Sequence, residues 1–423
     1  MVDPFLPEPE KVAAIREALP ATGAGIYLNT GSVGPLSTET VRAMREAEDW
    51  ELRVGRGNPD DWELLFERVE EARGVVGAVL GAGPDEMAIT HGTTEAVDTA
   101  IWATDPRAGD RFVTTSLEYP GVLAMMGVFR ERFGAKVAVV DVGDGGDEAM
   151  VLEALDEAIT PETRAVVVSH VSWATGTVLP VESICGLARR HGAWAIVDGA
   201  QSAGAIPVDA RAMGADFYAF AGQKWLLGPE GTGALWVGPR GLSEGRQTYV
   251  GYPSFRTIGP DGSAEPWPQA RRFEMSMFHR PSIVGLARSV GWLEMYVGLG
   301  WAYERAGRLA SRAADALAEV PGVELLTPRD RMATLITFRI AGWSADAARG
   351  ELAQRVFAIV RSVPHLEAVR ISVGFFTTQE ELDRFVEAVG LLARHTPETL
   401  PRRPSLVVVQ AGAPDPAAPE DRV

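Results

Sequence analysis

Cysteine is nearly absent from this chain. Cys185 stands alone among 423 residues, which excludes an internal disulfide and any metal centre built on several thiolates. Histidine is sparse, and its copies at 91, 170, 191, 279, 365 and 395 never fall at a metal-ligating spacing such as H-x-x-x-H. No window approaches the ~18 uninterrupted apolar residues of a membrane span. The start, Met-Val-Asp-Pro-Phe-Leu-Pro-Glu-Pro-Glu-Lys, has no basic end followed by an apolar run. These absences predict a cytoplasmic protein without a membrane partner. Positive charge is also short: 40 Lys and Arg against 57 Asp and Glu give a net charge of −17, which disfavours a nucleic-acid partner. What remains, 46% hydrophobic and 23% charged residues, is the composition of a globular chain large enough for two cores.

Apolar periodicity predicts helices over 8–19, 38–53 and 60–80 around a short strand at 25–28. From residue 84 the pattern becomes regular. Strands are expected at 87–90, 111–115, 136–142, 165–170, 193–197, 217–220 and 233–237, with helices at 94–103, 120–133, 150–158 and 181–190. Such alternation implies a mostly parallel sheet between helices, with ligands at the carboxyl ends of the strands. Residues 242–270 read as a long loop. Helices at 281–296 and 302–320 follow. The end of the chain, with strands at 335–340, 357–363 and 368–373 and helices at 345–354 and 379–393, reads as a smaller α+β domain. The Pro- and Ala-rich stretch 401–423 is expected to be a mobile tail.

Lysine is rarer than arginine, with only Lys11, Lys136 and Lys224. Lys11 and Lys136 read as solvated charges. Lys224 lies in the apolar run Phe217-Tyr218-Ala219-Phe220-Ala221-Gly222-Gln223-Lys224-Trp225-Leu226-Leu227. Burial lowers a lysine's pKa and makes it a nucleophile toward carbonyls. The bland alternative is a lysine reaching back to water. Asp198 follows the buried run Ala193–Val197, where a carboxylate would meet a ligand such as a pyridinium ring, with Gln201 three residues on. An N-cap is the bland alternative. Ile89-Thr90-His91-Gly92-Thr93-Thr94-Glu95 places backbone N–H groups and hydroxyls before a helix, suited to a phosphate or simply to capping.

Gly-Thr-Thr before a helix, Asp-Gly-Ala-Gln after a strand, and Gly-Gln-Lys-Trp with its lysine 26 residues after Asp198 together resemble the class V aminotransferase and cysteine desulfurase superfamily. The resemblance runs from about Tyr27 to Leu392. It is nearest to the isopenicillin N epimerase-like branch, through Tyr27–Leu36, Ser169-His170-Val171-Ser172, Thr175-Gly176 and Val369-Arg370-Ile371-Ser372 with Phe376–Asp383. It implies the pyridoxal-phosphate (PLP) fold type I, an α/β architecture with a mostly parallel central sheet between helices and a smaller α+β domain. It implies an N-terminal arm and substrate loop (1–37), a large PLP-binding domain (38–290), a small domain (291–400) and the tail (401–423). By position, Lys224 would be the Schiff-base lysine, Asp198 the pyridinium partner and Gln201 the partner of the ring oxygen. Gly92, Thr93 and Thr94 would hold the phosphate, and Tyr119 would stack on the ring. Arg370 would bind the substrate carboxylate, with Asn29 and Thr30 on the substrate loop. A homodimer with composite active sites is implied, Ser276, His279 and Arg280 approaching the partner's site.

Some positions depart from the family pattern. Ala221 and Gln223 stand where the family has Ser and His, Met275-Ser276-Met277 replaces a Gly-Thr, and Trp173 stands at a common asparagine. Gln223 and Ser276 are therefore the candidates to complete the phosphate cup. No cysteine lies between Ile340 and Arg370, where desulfurases carry their persulfide cysteine, and Cys185 has the spacing of a core residue. The expected reaction is C–S β-elimination from a small cysteine-derived amino acid. An epimerase or an aminotransferase is the alternative. A non-catalytic PLP-binding regulatory module is a remote one, since no fused DNA-binding domain is seen.

Overall fold

The structure, a computed structural model, describes residues 6–57 and 59–402. The expected tail lies outside the described residues from 403 onward. Helix Glu8–Ala18 and the short strand β1 (Ile26–Tyr27) come first. Helix Thr38–Val54 begins where the Ser37 hydroxyl accepts the Thr40 N–H, and helix Pro59–Ala78 follows.

The central sheet has seven strands: β2 (Met87–Thr90), β3 (Arg111–Thr115), β4 (Lys136–Val140), β5 (Thr163–Ser169), β6 (Trp194–Asp198), β7 (Phe217–Ala221) and β8 (Gly233–Val237). Their spatial order is β2-β8-β7-β6-β5-β3-β4. β3 to β7 are mutually parallel, while β8 is antiparallel to both neighbours. Helices cover both faces, so the strands are continuous apolar runs and their residues alternate between two cores. On β5, Val166 and Val168 join one core and Ala165 and Val167 the other.

Residues 242–270, expected as loop, contain an antiparallel hairpin, β9 (Phe255–Ile258) with β10 (Ala264–Pro266). Gly262, at φ +83°, helps turn the chain between them. Both strands are largely exposed, so they lack the apolar alternation that marks a strand.

The second sheet is antiparallel, built from β11 (Val323–Leu325), β12 (Leu335–Ile340), β14 (Arg361–Val363) and β15 (Ala368–Ser372) in the order β11-β12-β15-β14. The strand expected over 357–363 is two pieces. β13 (Ala358–Ile359) pairs in parallel with β1, while β14 pairs with β15. This sheet has its own core, including Ile336, Phe338, Ile371 and Phe385. Helix Leu299–Ala318 spans both units: Leu299, Ala302 and Ala306 pack in the large core, Leu309, Ala313 and Leu317 in the small one. Lys11, read as a solvated charge, is instead buried, its ammonium 4.3 Å from the centre of the Trp301 ring. No helix of the described residues is long and apolar enough to cross a membrane.

Candidate active site

The carboxyl ends of β5, β6 and β7 lie side by side, with Ser169 opposite Asp198 and Asp198 opposite Ala219. A cavity of about 470 Å³ opens there. Gly92, Thr93, Thr94, Tyr119, Asp198, Gln201, Gln223, Lys224 and Arg370 all line it. These residues come from five separate stretches of sequence; the parallel topology brings the first four to one edge, and Arg370 is supplied by the second sheet.

Lys224 follows β7 by three residues, at the start of a tight turn closed by the Leu227 N–H donating to the Lys224 carbonyl at 3.1 Å. Leu227 is fully buried in the left-handed region at φ +53°. A bulky residue adopts that conformation only where its surroundings over-determine it, so the turn is held under strain. Burial pushes the Lys224 amine down to about 8; Asp198 opposes that shift, and the charges of Arg370 and Arg361 add to it. The Asp198 carboxyl is pushed up by burial, against the pull of Lys224 and of the Ala200 N–H, which donates to Oδ1 at 2.9 Å. The Gln201 side chain is fixed at both ends, donating to the Gly31 carbonyl at 2.8 Å and accepting the Trp225 indole N–H at 3.0 Å.

At one end of the cavity lies the N-terminus of helix Thr93–Ala103, capped by Gly92. The Thr93 hydroxyl and the Gln223 side-chain carbonyl oxygen are buried and have no hydrogen-bond partner among the described residues. His91 pairs with Glu95 at 2.8 Å and stacks on Phe278, ring centres 5.2 Å apart. Glu274 anchors the segment that carries Phe278. It accepts the Ile89 N–H at 2.8 Å and pairs with the buried Arg73.

At the other end is Arg370, on β15. Its guanidinium is buried and donates to the Trp173 carbonyl at 2.6 Å and to the Ser32 hydroxyl at 3.3 Å, while its Nε has no partner. No carboxylate pairs with it among the described residues. Burial, and then Arg361, bring its pKa down to about 9. The substrate loop reaches this point by close backbone approach. A Cβ on Gly31 would meet Gln201 Oε1 and Ser372 Oγ at 2.8 Å, and one on Gly34 would meet the Lys224 carbonyl at 2.3 Å.

Three predicted residues are not brought to the cavity within this chain. The loop contributes Gly31, Ser32 and Val33 in place of Asn29 and Thr30. Asn29 is instead used to accept the Ser32 hydroxyl at 2.8 Å, and Thr30 lines a separate cleft with Trp225 and Phe376. Ser276 is exposed. Other residues were missed. Trp173, noted only as a departure, walls the cavity edge-on to Tyr119 at 5.9 Å, its indole N–H donating to the Glu118 carbonyl. Glu118 is buried behind that wall, accepting from the Thr115 hydroxyl at 2.7 Å and the Ser169 hydroxyl at 2.6 Å. Burial pushes its carboxyl up to about 7. Arg361 lines the mouth, directly opposite Arg370 in the β14–β15 register. A charged residue beside an apolar strand is a local signal, which marked Lys224; Arg361 has none, because its meaning comes from strand pairing.

Buried polar atoms without partners are rare and costly in folded proteins. Here they face a cavity that also offers a reactive amine, a buried carboxylate and a helix N-terminus. That donor set fits PLP: an aldehyde, a pyridine nitrogen and a phosphate. Among the described residues no group of His, Cys, Asp and Glu side chains is placed to hold a metal ion.

Comparison with known proteins agrees. The family model for aminotransferase class-V matches residues 26–385. The chain is 28% identical over 397 residues to "Probable cysteine desulfurase" of Methanothermobacter thermautotrophicus, covering 90% of this chain and 97% of that protein. It is 30% identical to isopenicillin N epimerase of Streptomyces clavuligerus, covering 87% and 94%. Among solved structures it resembles the cystine C–S lyase C-DES with a TM-score of 0.83 and 26% identity, covering 88% of this chain and 99% of that one. C-DES has been solved with its product cysteine persulfide and, as a variant, with glycine covalently linked to PLP. The chain belongs to the class V aminotransferase family. It is a PLP-dependent enzyme of fold type I.

Proposed function

We propose that this enzyme cleaves the C–S bond of a cysteine-derived amino acid by β-elimination. One observation carries the reading. Lys224, Asp198 and Arg370 meet at one cavity, while the chain's single thiol is sealed in the core and held at about 12 by burial. A thiol so placed is no persulfide acceptor, so sulfur leaves with the substrate's own fragment. The similarity to the C–S lyase C-DES supports the same outcome.

In this reading Lys224 Nζ holds PLP covalently, Asp198 keeps the pyridine nitrogen protonated, and Gln201 faces the ring oxygen. Gly92, Thr93, Thr94 and the Gln223 side-chain amide N–H would hold the phosphate, where the helix dipole and the unpartnered Thr93 hydroxyl favour an anion. Tyr119 covers the ring face. Bound PLP supplies an electron sink in conjugation with the substrate Cα. Arg370 grips the α-carboxylate and so fixes which substituent stands beside the amine. The Lys224 amine, when free, would be the base that takes the α-proton. The Cα electron pair forms the Cα–Cβ double bond as the Cβ–S bond breaks, and the thiolate departs. The released enamine takes up water to give pyruvate and ammonia.

Dimerisation belongs to the same proposal. Ser276 is exposed two residues beyond the buried Glu274, and with His279 it would complete a partner's phosphate cup; Arg280, also predicted to approach the partner, is buried. The exposed pair Trp62 and Tyr252, edge-to-face at 6.2 Å, offers apolar surface for that contact.

The test is a panel of S-methyl-L-cysteine, L-alanine and a D-amino acid. Thiol and pyruvate released together support the lyase. The similarity to isopenicillin N epimerase favours a second reading, and optical inversion without pyruvate would select it. A requirement for an added keto acid would select transamination.

A further inference from the structure

Three buried polar side chains pack against the turn that carries Asp198 and Gln201, and the reaction just described uses none of them. His170 follows β5, Tyr218 lies on β7, and Ser202 is the residue after Gln201. All three are buried. The Tyr218 hydroxyl is 3.0 Å from His170 Nδ1 and 2.5 Å from the Ser202 hydroxyl, which donates to the Gly199 carbonyl at 3.1 Å. Burial brings His170 down to about 4 and raises the Tyr218 hydroxyl, so both stay neutral and the chain of hydrogen bonds carries no charge. A satisfied neutral network of this kind holds shape.

The shape it holds is that of the turn. The His170 N–H donates to the Asp198 carbonyl at 2.8 Å, and the Gly199 N–H donates to the carbonyl of Ala219, the neighbour of Tyr218, at 2.7 Å. Residues 198–202 are therefore tied at one end by the His170 backbone and at the other by the Ser202 hydroxyl, and Tyr218 joins the two ties. Its ring also closes the space between them: a Cβ on Gly199 would meet that ring at 2.2 Å. The hydrogen bonds that fix the Asp198 and Gln201 side chains come instead from Ala200 within the turn and from Gly31 and Trp225. Those bonds aim the side chains, while the buried chain sets the backbone that bears them. A hydrogen bond to a carboxylate weakens steeply with misalignment, and a site keeps its geometry to within about 0.5 Å only where such supports are in place.

We propose that Tyr218 is a positioning residue: bridging His170 and Ser202, its hydroxyl sets the turn 198–202 so that the Asp198 carboxylate meets the ring nitrogen of PLP. This rests on the assignment of Asp198 to that nitrogen and not on which substrate bond the enzyme breaks.

The experiment measures binding to the apoprotein of PLP and of 1-deazapyridoxal phosphate, in which carbon replaces the ring nitrogen. The two share the aldehyde and the phosphate, so the ratio of their affinities isolates the Asp198 contact. The wild-type apoprotein should prefer PLP. Tyr218→Phe and Ser202→Ala each delete one hydroxyl, and each should reduce that preference about tenfold. Both break the same chain, so the double variant should lose little more than either single one, whereas full additivity overturns the bridge. Ser202→Ala leaves the Tyr218 ring in place and carries the test independently of any folding loss in Tyr218→Phe. A support that serves stability alone lowers the melting temperature and weakens both cofactors equally. An unchanged ratio in both variants therefore overturns the proposal while leaving the Asp198 assignment intact. Equal binding of the two cofactors by the wild-type apoprotein overturns the Asp198 assignment and the proposal with it.

Discussion

Replacing Arg370 by alanine removes a buried cation that has no carboxylate partner among the described residues, so its cost falls on the ligand. A fully desolvated, hydrogen-bonded charge pair broken at one partner loses about 2–5 kcal/mol. At about 1.4 kcal/mol per decade this is a loss of roughly 30- to 4000-fold in affinity. Part of the effect is indirect. Arg370 also donates to the Trp173 carbonyl at 2.6 Å, and its removal loosens the Trp173 wall for every ligand. The assay must cancel that share. The spectral change of bound PLP is titrated with S-methyl-L-cysteine and with 2-(methylthio)ethylamine, which lacks only the carboxylate. The wild-type enzyme should prefer the amino acid by at least about 30-fold, and Arg370→Ala should reduce the preference to within about threefold, with the cofactor spectrum before titration unchanged. A preference that survives the substitution would refute the assignment of Arg370.

Three further outcomes follow from the site. The Lys224 amine titrates near 8, and only its neutral form attacks a carbonyl. Uptake of PLP by the apoprotein should therefore accelerate about tenfold per pH unit below 8 and level off above it; a flat profile from pH 6 to 9 contradicts this. The folded Glu118 carboxyl, raised to about 7 against 4.5 in an unfolded chain, holds its proton in the folded state over that interval, so its contribution to stability falls as pH rises from 4.5 to 7. Glu118→Gln cannot ionise, and its melting temperature between pH 5 and 8 should vary less than that of the wild-type apoprotein; an identical pH dependence contradicts the burial argument. Light scattering should give twice the 45.4 kDa chain mass, and an active monomer would refute the composite site.

The parallel core was legible because its physics is local. Strands buried on both faces are apolar runs, and β2, β3 and β8 lie where that pattern puts them. Lys224 and Asp198 were legible because each is a charge next to such a run. What escaped depends on pairing at a distance. The β9–β10 hairpin is exposed and carries no apolar code. Phe357–Val363 reads as one strand but serves two partners, β1 and β15. Arg361 acquires meaning only from its register with Arg370, and Glu118 only from hydroxyls on β3 and β5 that close over it. Asn29 and Thr30 were misplaced by a few residues. The loop enters the cavity at Gly31, where only a residue without a side chain can pass Gln201 and Ser372.

The account rests most directly on Lys224. Borohydride treatment of the purified yellow holoenzyme, followed by peptide mass analysis, should place one reduced pyridoxyl group per chain on the peptide containing Lys224. Lys224→Ala should yield none while still taking up PLP. A pyridoxyl group on Lys11 or Lys136, or no covalent capture by the wild-type chain, would contradict it.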